Sequence, residues 1–336
     1  MTLNIGINGF GRIGRSALRY ILESRIDMRV IKINASGSLE SNAHLLKYDS
    51  VHGRLNEKIS TDGQFMSVGN HVPIQFQNTR YLRELDWSDV DIVLECTGNF
   101  NDGDECRAHI KAGARKVLIS APAKNVDRTI VYGVNNKELL AVDKIVSNGS
   151  CTTNCLAPII KTFDNFLNIH SGIMTTIHSY TGDQPTLDRR HEDLYRGRAA
   201  QMSMIPTTTG AAKAIGQVIP SMKGKLDGTA IRVPTPNVSA IDLTMQVDKG
   251  TLDTLDIKNI NYMVREASET YMKGVISYDE HPKVSIDFNH TEESCIFAPQ
   301  QTKVVGNLVR VFCWYDNEWA FACRMADVAK LMEKTS

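Results

Sequence analysis

The sequence predicts an α/β chain in two parts: a doubly wound parallel sheet, then an α+β part on a mixed or antiparallel sheet. Three observations carry that expectation. Short runs of branched apolar residues recur through residues 1–150 with helical stretches between some of them, the pattern of strands buried on both faces. Beyond about residue 150 the apolar segments lengthen and alternate, as strands with one solvated face do. The length, 336 residues, is enough for two cores.

Along the chain, residues 3–7 (Leu-Asn-Ile-Gly-Ile) read as the first strand. A helical pattern runs from Arg12 to about Glu23, and residues 28–33 (Met-Arg-Val-Ile-Lys-Ile) read as the second strand, a β-α-β unit of about 30 residues. Phe65–Phe76, with Gly69-Asn70 in its middle, predicts an antiparallel hairpin. Asp91–Cys96, Lys116–Ser120 and Ile145–Asn148 read as further buried strands. A helix is expected from Cys151 to about Asn168, then strands at Gly172–His178, Ala230–Val233, Ser239–Val247 and Leu308–Trp314. The polar stretch from Tyr180 to Pro206 lacks periodicity, and a loop that long in a compact chain is usually functional. Trp319–Lys334 reads as a helix expected to return to the first part. The expected domains are residues 1–150 joined by 317–336, and residues 151–316.

Composition narrows the function. Lys plus Arg balance Asp plus Glu at 38 each, so the chain has no bulk attraction for nucleic acid or anionic membrane. The first fifteen residues contain Asn8, Arg12 and Arg15 and do not form a signal peptide. No stretch approaches the roughly 18 apolar residues of a membrane span. The seven cysteines are odd in number and scattered, which argues against a disulfide framework and for reduced thiols in the cytoplasm. Cys151 and Cys155 lack a second ligand pair, so no metal site is expected.

Two motifs carry chemistry. Gly9-Phe-Gly11-Arg-Ile-Gly14 follows a strand and opens a helix. In that setting the first glycine permits a tight turn, the second lets the backbone approach a pyrophosphate, and the third lets the helix pack closely. The helix N-terminus then offers amides to phosphate. This is the Rossmann-type dinucleotide signature. The second strand ends in Asn34-Ala35-Ser36, where a carboxylate would normally hold the ribose 2′-hydroxyl. Losing that bond costs about 1.5–3 kcal/mol of NAD affinity, and it removes repulsion toward a 2′-phosphate, so acceptance of NADP is expected.

The second motif is Ser147-Asn-Gly-Ser-Cys-Thr-Thr-Asn-Cys155, with a helix expected to begin at Cys151. Helix amides at that position favour a thiolate. Lowering a thiol from about 8.5 to about 6 needs about 3.4 kcal/mol, which a helix terminus and a histidine partner are expected to supply. His178 ends a strand and opens the polar loop, and a Cys–His pair is how a thiol is activated against a carbonyl. Ser150 and Thr152 bring hydroxyls suited to an anion, while Cys155 reads as a packed small residue.

Ile7–Arg15, Leu46–Ser50, Ser147–Pro158, His178–Gln184, Thr207–Lys213, Arg232–Ser239 and Trp314–Trp319 together resemble the phosphorylating glyceraldehyde-3-phosphate dehydrogenases, in the right order over essentially the whole chain. The resemblance implies a thiohemiacetal and then a thioester on Cys151, His178 as general base, and inorganic phosphate as the final nucleophile. It implies that Thr181, Asp183 and Arg232 hold the phosphate of glyceraldehyde 3-phosphate, and that Ser150, Thr152, Arg196, Thr209 and Gly210 hold the attacking phosphate. Besides the three glycines, Arg12, Ile13, Asn34, Ala35, Arg80, Thr97, Gly98, Ser120 and Asn317 match positions along NAD. It also implies a homotetramer in which the loop 180–205 reaches a neighbour's cofactor. Members specific for NAD usually carry Asp at the position of Ala35. Arg189 and Arg190 stand where an apolar residue and proline are common, and could meet a 2′-phosphate. The alternative enzyme is an erythrose-4-phosphate dehydrogenase, which differs at the anion loops. A non-catalytic NAD-binding regulator or thiol sensor is a further class, and the intact base and phosphate residues weigh against it.

Overall fold

A computed structural model describes residues 2–24, 26–250 and 254–335. The chain forms two compact units: Met1–Tyr132 with Asn136–Ser150 and Phe321–Ser336, and Gly133–Asn135 with Cys151–Ala320.

The first unit is built on a nine-stranded sheet. Its centre is Leu3–Asn8, with Met28–Asn34 on one side and Ile92–Glu95 on the other, both parallel. Lys116–Ile119, Ile145–Ser147 and Arg128–Thr129 extend the parallel run on the second side. On the first side Ile74–Gln77 adds in parallel, then Phe65–Val68 and Ile59–Asp62 pair antiparallel at the edge. The hairpin is thus present within a larger antiparallel edge, and the Ile59–Asp62 strand has no sequence signal because it alternates only weakly. Strands Ile92–Glu95 and Lys116–Ile119 are buried at every position, which is why their sequences read as apolar runs. Strand order reverses about Leu3–Asn8, so a crevice opens at the carboxyl ends of Leu3–Asn8 and Ile92–Glu95.

The second unit carries a mixed eight-stranded sheet. Its long strand Asn168–Ser179 pairs parallel with Leu226–Val233 and antiparallel with Ser239–Asp248, which pairs with Leu308–Tyr315. The helix from Cys151 ends at Asp164, four residues before the expected end, because Asn168 already begins the strand. Strands Asn168–Ser179 and Leu226–Val233 each start four residues before their expected starts. His170, Ser171, Asp227 and Gly228 carry no apolar signal, yet their backbones remain in or beside the ladder. The helix Ile257–Glu269 is capped by Asp256, whose carboxylate accepts from the Asn259 amide at 2.9 Å. Loop residues between Ser179 and Ile205 form no strand or helix.

Candidate active site

In the first unit the turn after Leu3–Asn8 explains its glycines. Gly9 has φ +93° and lies where a Cβ would meet the Thr97 amide at 2.5 Å. A Cβ on Gly14 would meet the Gly9 carbonyl at 2.3 Å, whereas around Gly11 there is open space. That space is what a pyrophosphate approaching the backbone requires. The crevice has a volume of about 640 Å³, and Gly9, Gly11, Asn34, Ala35, Arg80 and Thr97 line it. Ser36 and Ser41 line it too, and no carboxylate does among the described residues. Arg12 turns instead to a two-pronged ion pair with Asp49, whose carboxyl is held well below the ordinary range by that guanidinium and two backbone amides against the cost of burial. Ile13, Gly14, Gly98 and Ser120 do not line the crevice.

A buried string of hydrogen bonds runs along the carboxyl ends of these strands. Trp87 Nε1 donates to His109 Nδ1 at 2.9 Å; the ring's one N–H is therefore on Nε2, which donates to Glu95 Oε2 at 3.0 Å. Asn8 donates to the same carboxylate at 2.5 Å, and Asn34 donates to Asn8 at 2.7 Å. The Asn34 amide oxygen accepts from the Thr79 backbone at 3.0 Å, so this side chain shapes the crevice rather than reaching into it. Glu95 Oε1 accepts from the Thr97 amide at 2.8 Å. Glu95 was hidden in the sequence, although a carboxylate in an apolar strand was the signal available.

In the second unit, Cys151 is the first residue of the helix Cys151–Asp164 and is half-buried. Its Sγ lies 3.5 Å from His178 Nε2. The imidazole is 5% exposed, near the end of its strand. Its Nδ1 lies 2.7 Å from the Ser179 carbonyl and 2.9 Å from Arg232 Nη1, which also donates to that carbonyl at 2.9 Å. The Tyr315 ring stands edge-on to the imidazole at 5.9 Å, its hydroxyl bridging Thr152 at 2.9 Å and Thr176 at 2.8 Å. Thr152 therefore has its hydroxyl engaged already.

The expected thiolate is not what this arrangement favours. Burial pushes the Cys151 thiol above its ordinary value, against the pull of Arg232 and of hydrogen bonds from Thr152. Burial, then Arg232, pushes His178 down to about 3, outweighing its bond to the Ser179 carbonyl. Both shifts favour the uncharged forms of thiol and imidazole. The helix terminus acts in the expected direction, but desolvation is larger.

Arg196 donates to Thr207 Oγ1 at 3.0 Å and pairs with Asp183 at 3.5 Å, although the resemblance assigns Arg196 and Asp183 to different phosphates. Asp193, which accepts from Thr207 at 2.6 Å, and Thr207 itself complete this cluster and were not singled out from sequence. Thr181 closes a turn with Gln184, and Thr209 accepts from the Ala211 amide just before the helix Ala211–Val218, with Gly210 at its cap. Ser150 is half-buried, directly ahead of the helix that Cys151 begins. Arg198 pairs with Asp188 at 2.8 Å. Asn317 Oδ1 accepts from Ser179 Oγ at 2.7 Å and Ser239 Oγ at 2.8 Å, which sets the orientation of its amide. Tyr315, Ser179 and Ser239 each sit inside or beside a run that the sequence already marked.

Comparison with known proteins agrees with this reading. Residues 3–103 match the family model of the glyceraldehyde 3-phosphate dehydrogenase NAD binding domain, and residues 150–317 match that of its C-terminal domain. A glyceraldehyde-3-phosphate dehydrogenase of Cereibacter sphaeroides is 52% identical over 334 residues, covering 99% of each chain. One from Xanthobacter flavus is 52% identical, again with 99% of each covered, and one from Geobacillus stearothermophilus is 46% identical with 98% of each covered.

Proposed function

The chain belongs to the glyceraldehyde-3-phosphate dehydrogenase family, and on that premise we propose that it oxidises D-glyceraldehyde 3-phosphate and transfers the acyl group from Cys151 to inorganic phosphate. The observation that carries the reading is the 3.5 Å approach of Cys151 Sγ to His178 Nε2 at a helix N-terminus, beside Arg232.

Cys151 Sγ adds to the aldehyde carbon as its S–H bond breaks and the proton passes to the carbonyl oxygen, giving a thiohemiacetal. His178 Nε2 takes its hydroxyl proton while the C–H electron pair departs as hydride and the carbonyl re-forms as a thioester. The oxidised nicotinamide, when bound, supplies the hydride acceptor. Phosphate then adds to the thioester carbonyl, the C–S bond breaks, and 1,3-bisphosphoglycerate leaves with Cys151 restored. Arg232 with Thr181 and Asp183 is assigned to the substrate phosphate. Arg196 with Ser150, Thr152, Thr209 and Gly210 is assigned to the incoming one. Guanidinium forks suit both. Nothing favours an erythrose-4-phosphate dehydrogenase. An assay of phosphate dependence tests the reading: turnover is expected to require phosphate, and Cys151→Ser to abolish turnover while leaving NAD bound. Sustained oxidation without phosphate would overturn it.

The family domain is one that uses NAD. NADP acceptance is supported by the absence of a carboxylate among the described residues lining the crevice, which Ser36 and Arg80 line together with Ala35. A hundredfold preference for NAD in kcat/KM would end it. A homotetramer is supported by exposed Leu187, Leu194, Tyr195, Met202 and Met204 on the loop after Tyr180. A cytoplasmic setting is supported by seven free cysteines. No helix among the described residues is long and apolar enough to cross a membrane.

A further inference from the structure

We propose that Ser179 and Ser239 are positioning residues for the cofactor: their hydroxyls hold the Asn317 amide with its N–H side turned to the carbonyl of the nicotinamide carboxamide. The proposal rests on the assignment of Asn317 to that carboxamide.

Sheet topology brings the three residues together. Ser179 ends the strand Asn168–Ser179, Ser239 begins Ser239–Asp248, and Asn317 follows Leu308–Tyr315 by two residues. These strands are consecutive neighbours and pair antiparallel, with Ile177 opposite Ala240 and Ser239 opposite Tyr315. The end of the first, the start of the second and the end of the third therefore meet at one end of the sheet. All three side chains are buried, Ser179 at 0%, Ser239 at 1% and Asn317 at 5% exposure.

The hydroxyl protons fix the amide. Ser239 Oγ accepts the Ser179 backbone N–H at 3.0 Å. Asn317 Oδ1 lies 2.7 Å from Ser179 Oγ and 2.8 Å from Ser239 Oγ, and the two hydroxyl oxygens are 3.3 Å apart. Each hydroxyl has one proton and two lone pairs. With Oδ1 facing them, both protons go to its two lone pairs. With the amide reversed, Nδ2 would donate to both hydroxyl oxygens. The Ser179 proton would then have only Ser239 Oγ to go to, an oxygen already facing two N–H groups. The Ser239 proton would have no acceptor in the group. A buried polar hydrogen left without an acceptor is unfavourable, so Oδ1 faces the serines and Nδ2 is turned away from them.

A ligand at this amide therefore meets donors only. Of the two ends of a carboxamide, the carbonyl accepts and the amino group donates, so the carbonyl is the end selected. An amide held in place before binding loses less freedom when the ligand arrives. The Ser179 carbonyl meets His178 Nδ1, but its hydroxyl serves Asn317, so the hydroxyl is removable without touching the His178 contact.

Calorimetric titration of the full chain with NAD and with ADP-ribose, which lacks the nicotinamide, tests the proposal. Ser179→Ala combined with Ser239→Ala is expected to weaken NAD about tenfold and to leave ADP-ribose unchanged. Asn317→Ala is expected to weaken NAD by a similar factor. Added to the serine pair it should cost less than about twofold more, because the same contact is lost either way. Equal losses for NAD and ADP-ribose, or a full tenfold addition in the triple variant, would overturn the positioning role. Asn317→Ala without effect on NAD would remove Asn317 from the carboxamide and the proposal with it. An Asn317 effect with no serine effect overturns the proposal alone. Should the paired variant not fold, Ser179→Ala decides: a loss of about threefold on NAD alone is expected. No loss, or an equal loss on ADP-ribose, overturns the proposal.

Discussion

His109 and His178 are both buried imidazoles, at 0% and 5% exposure, but the two units use them in opposite ways. In the first unit both nitrogens of His109 are occupied, one by the Trp87 indole and one by the Glu95 carboxylate. In the second unit His178 Nδ1 meets a cation and a carbonyl, and Nε2 faces a sulfur at 3.5 Å. Burial alone therefore does not mark a functional histidine. The partner decides: an imidazole saturated by strong donors and acceptors braces the carboxyl ends of central strands, whereas one aimed at a thiol can exchange a proton.

The comparison breaks most easily at its chemical member. His178→Asn should lower the single-turnover acylation rate by about 10²- to 10⁴-fold, the usual contribution of a positioned acid–base group. His109→Asn should leave turnover per folded molecule near wild type while lowering the unfolding midpoint. The same two measurements on both variants check this; equal losses of acylation would erase the distinction.

Glu95 sharpens the structural side. Glu95→Ala removes the acceptor of His109, Asn8 and Thr97 together. Each buried donor left unpaired costs about 1–3 kcal/mol, so a loss of about 3 kcal/mol or more is expected in denaturant unfolding. Glu95→Gln, which keeps an acceptor oxygen, should lose less. Weaker NAD binding should accompany the alanine variant, since Asn8 and Thr97 both line the crevice.

A smaller effect separates the histidines by pH. His178 is depressed to about 3 in the folded chain from an ordinary 6.5. Between those values the unfolded chain binds more protons, so stability is fully present above about 6.5 and falls as pH drops toward 3. At pH 5 the loss is about 2 kcal/mol relative to pH 7.5. His178→Asn lacks this linkage, so the variant should gain on the wild type by that amount over the interval. Unfolding curves of both at the two pH values test it, and parallel pH profiles would refute it.

The smallest expected change concerns the crevice. Ala35→Asp places a carboxylate where the resemblance expects one in NAD-specific members. It should move the NADP-to-NAD ratio of kcat/KM about tenfold toward NAD, or about 1.4 kcal/mol. An unaltered ratio would mean that position 35 does not read the 2′-substituent.

Much of this was legible in the residues. Gly9, Gly11 and Gly14 announced the turn by their spacing: Gly9 takes a positive φ, and a Cβ on Gly14 would meet the Gly9 carbonyl five residues back. Ile92–Glu95 and Lys116–Ile119 announced themselves because both faces of a parallel strand are buried. The edge strands Ile59–Asp62 and Ile205–Thr208 were not legible, since pairing at an edge demands no apolar pattern. Cys151 and His178 were nameable as a pair from their local settings, and Tyr315, Ser239 and Glu95 were not, because each acts through a hydrogen bond to a residue distant in sequence.

By itself, then, the sequence determined the two-part α/β architecture, the dinucleotide turn, a cysteine at a helix start and the family. All of these depend on neighbours within a few residues or on long runs of identity. Tertiary structure alone decided the surroundings of the pair. It set Arg232 beside His178 through strand register, across 54 residues of chain, and buried the thiol enough for desolvation to outweigh the helix amides. Register and burial are properties of the packed sheet, and a free energy that depends on what surrounds a group cannot be read from the group's own sequence.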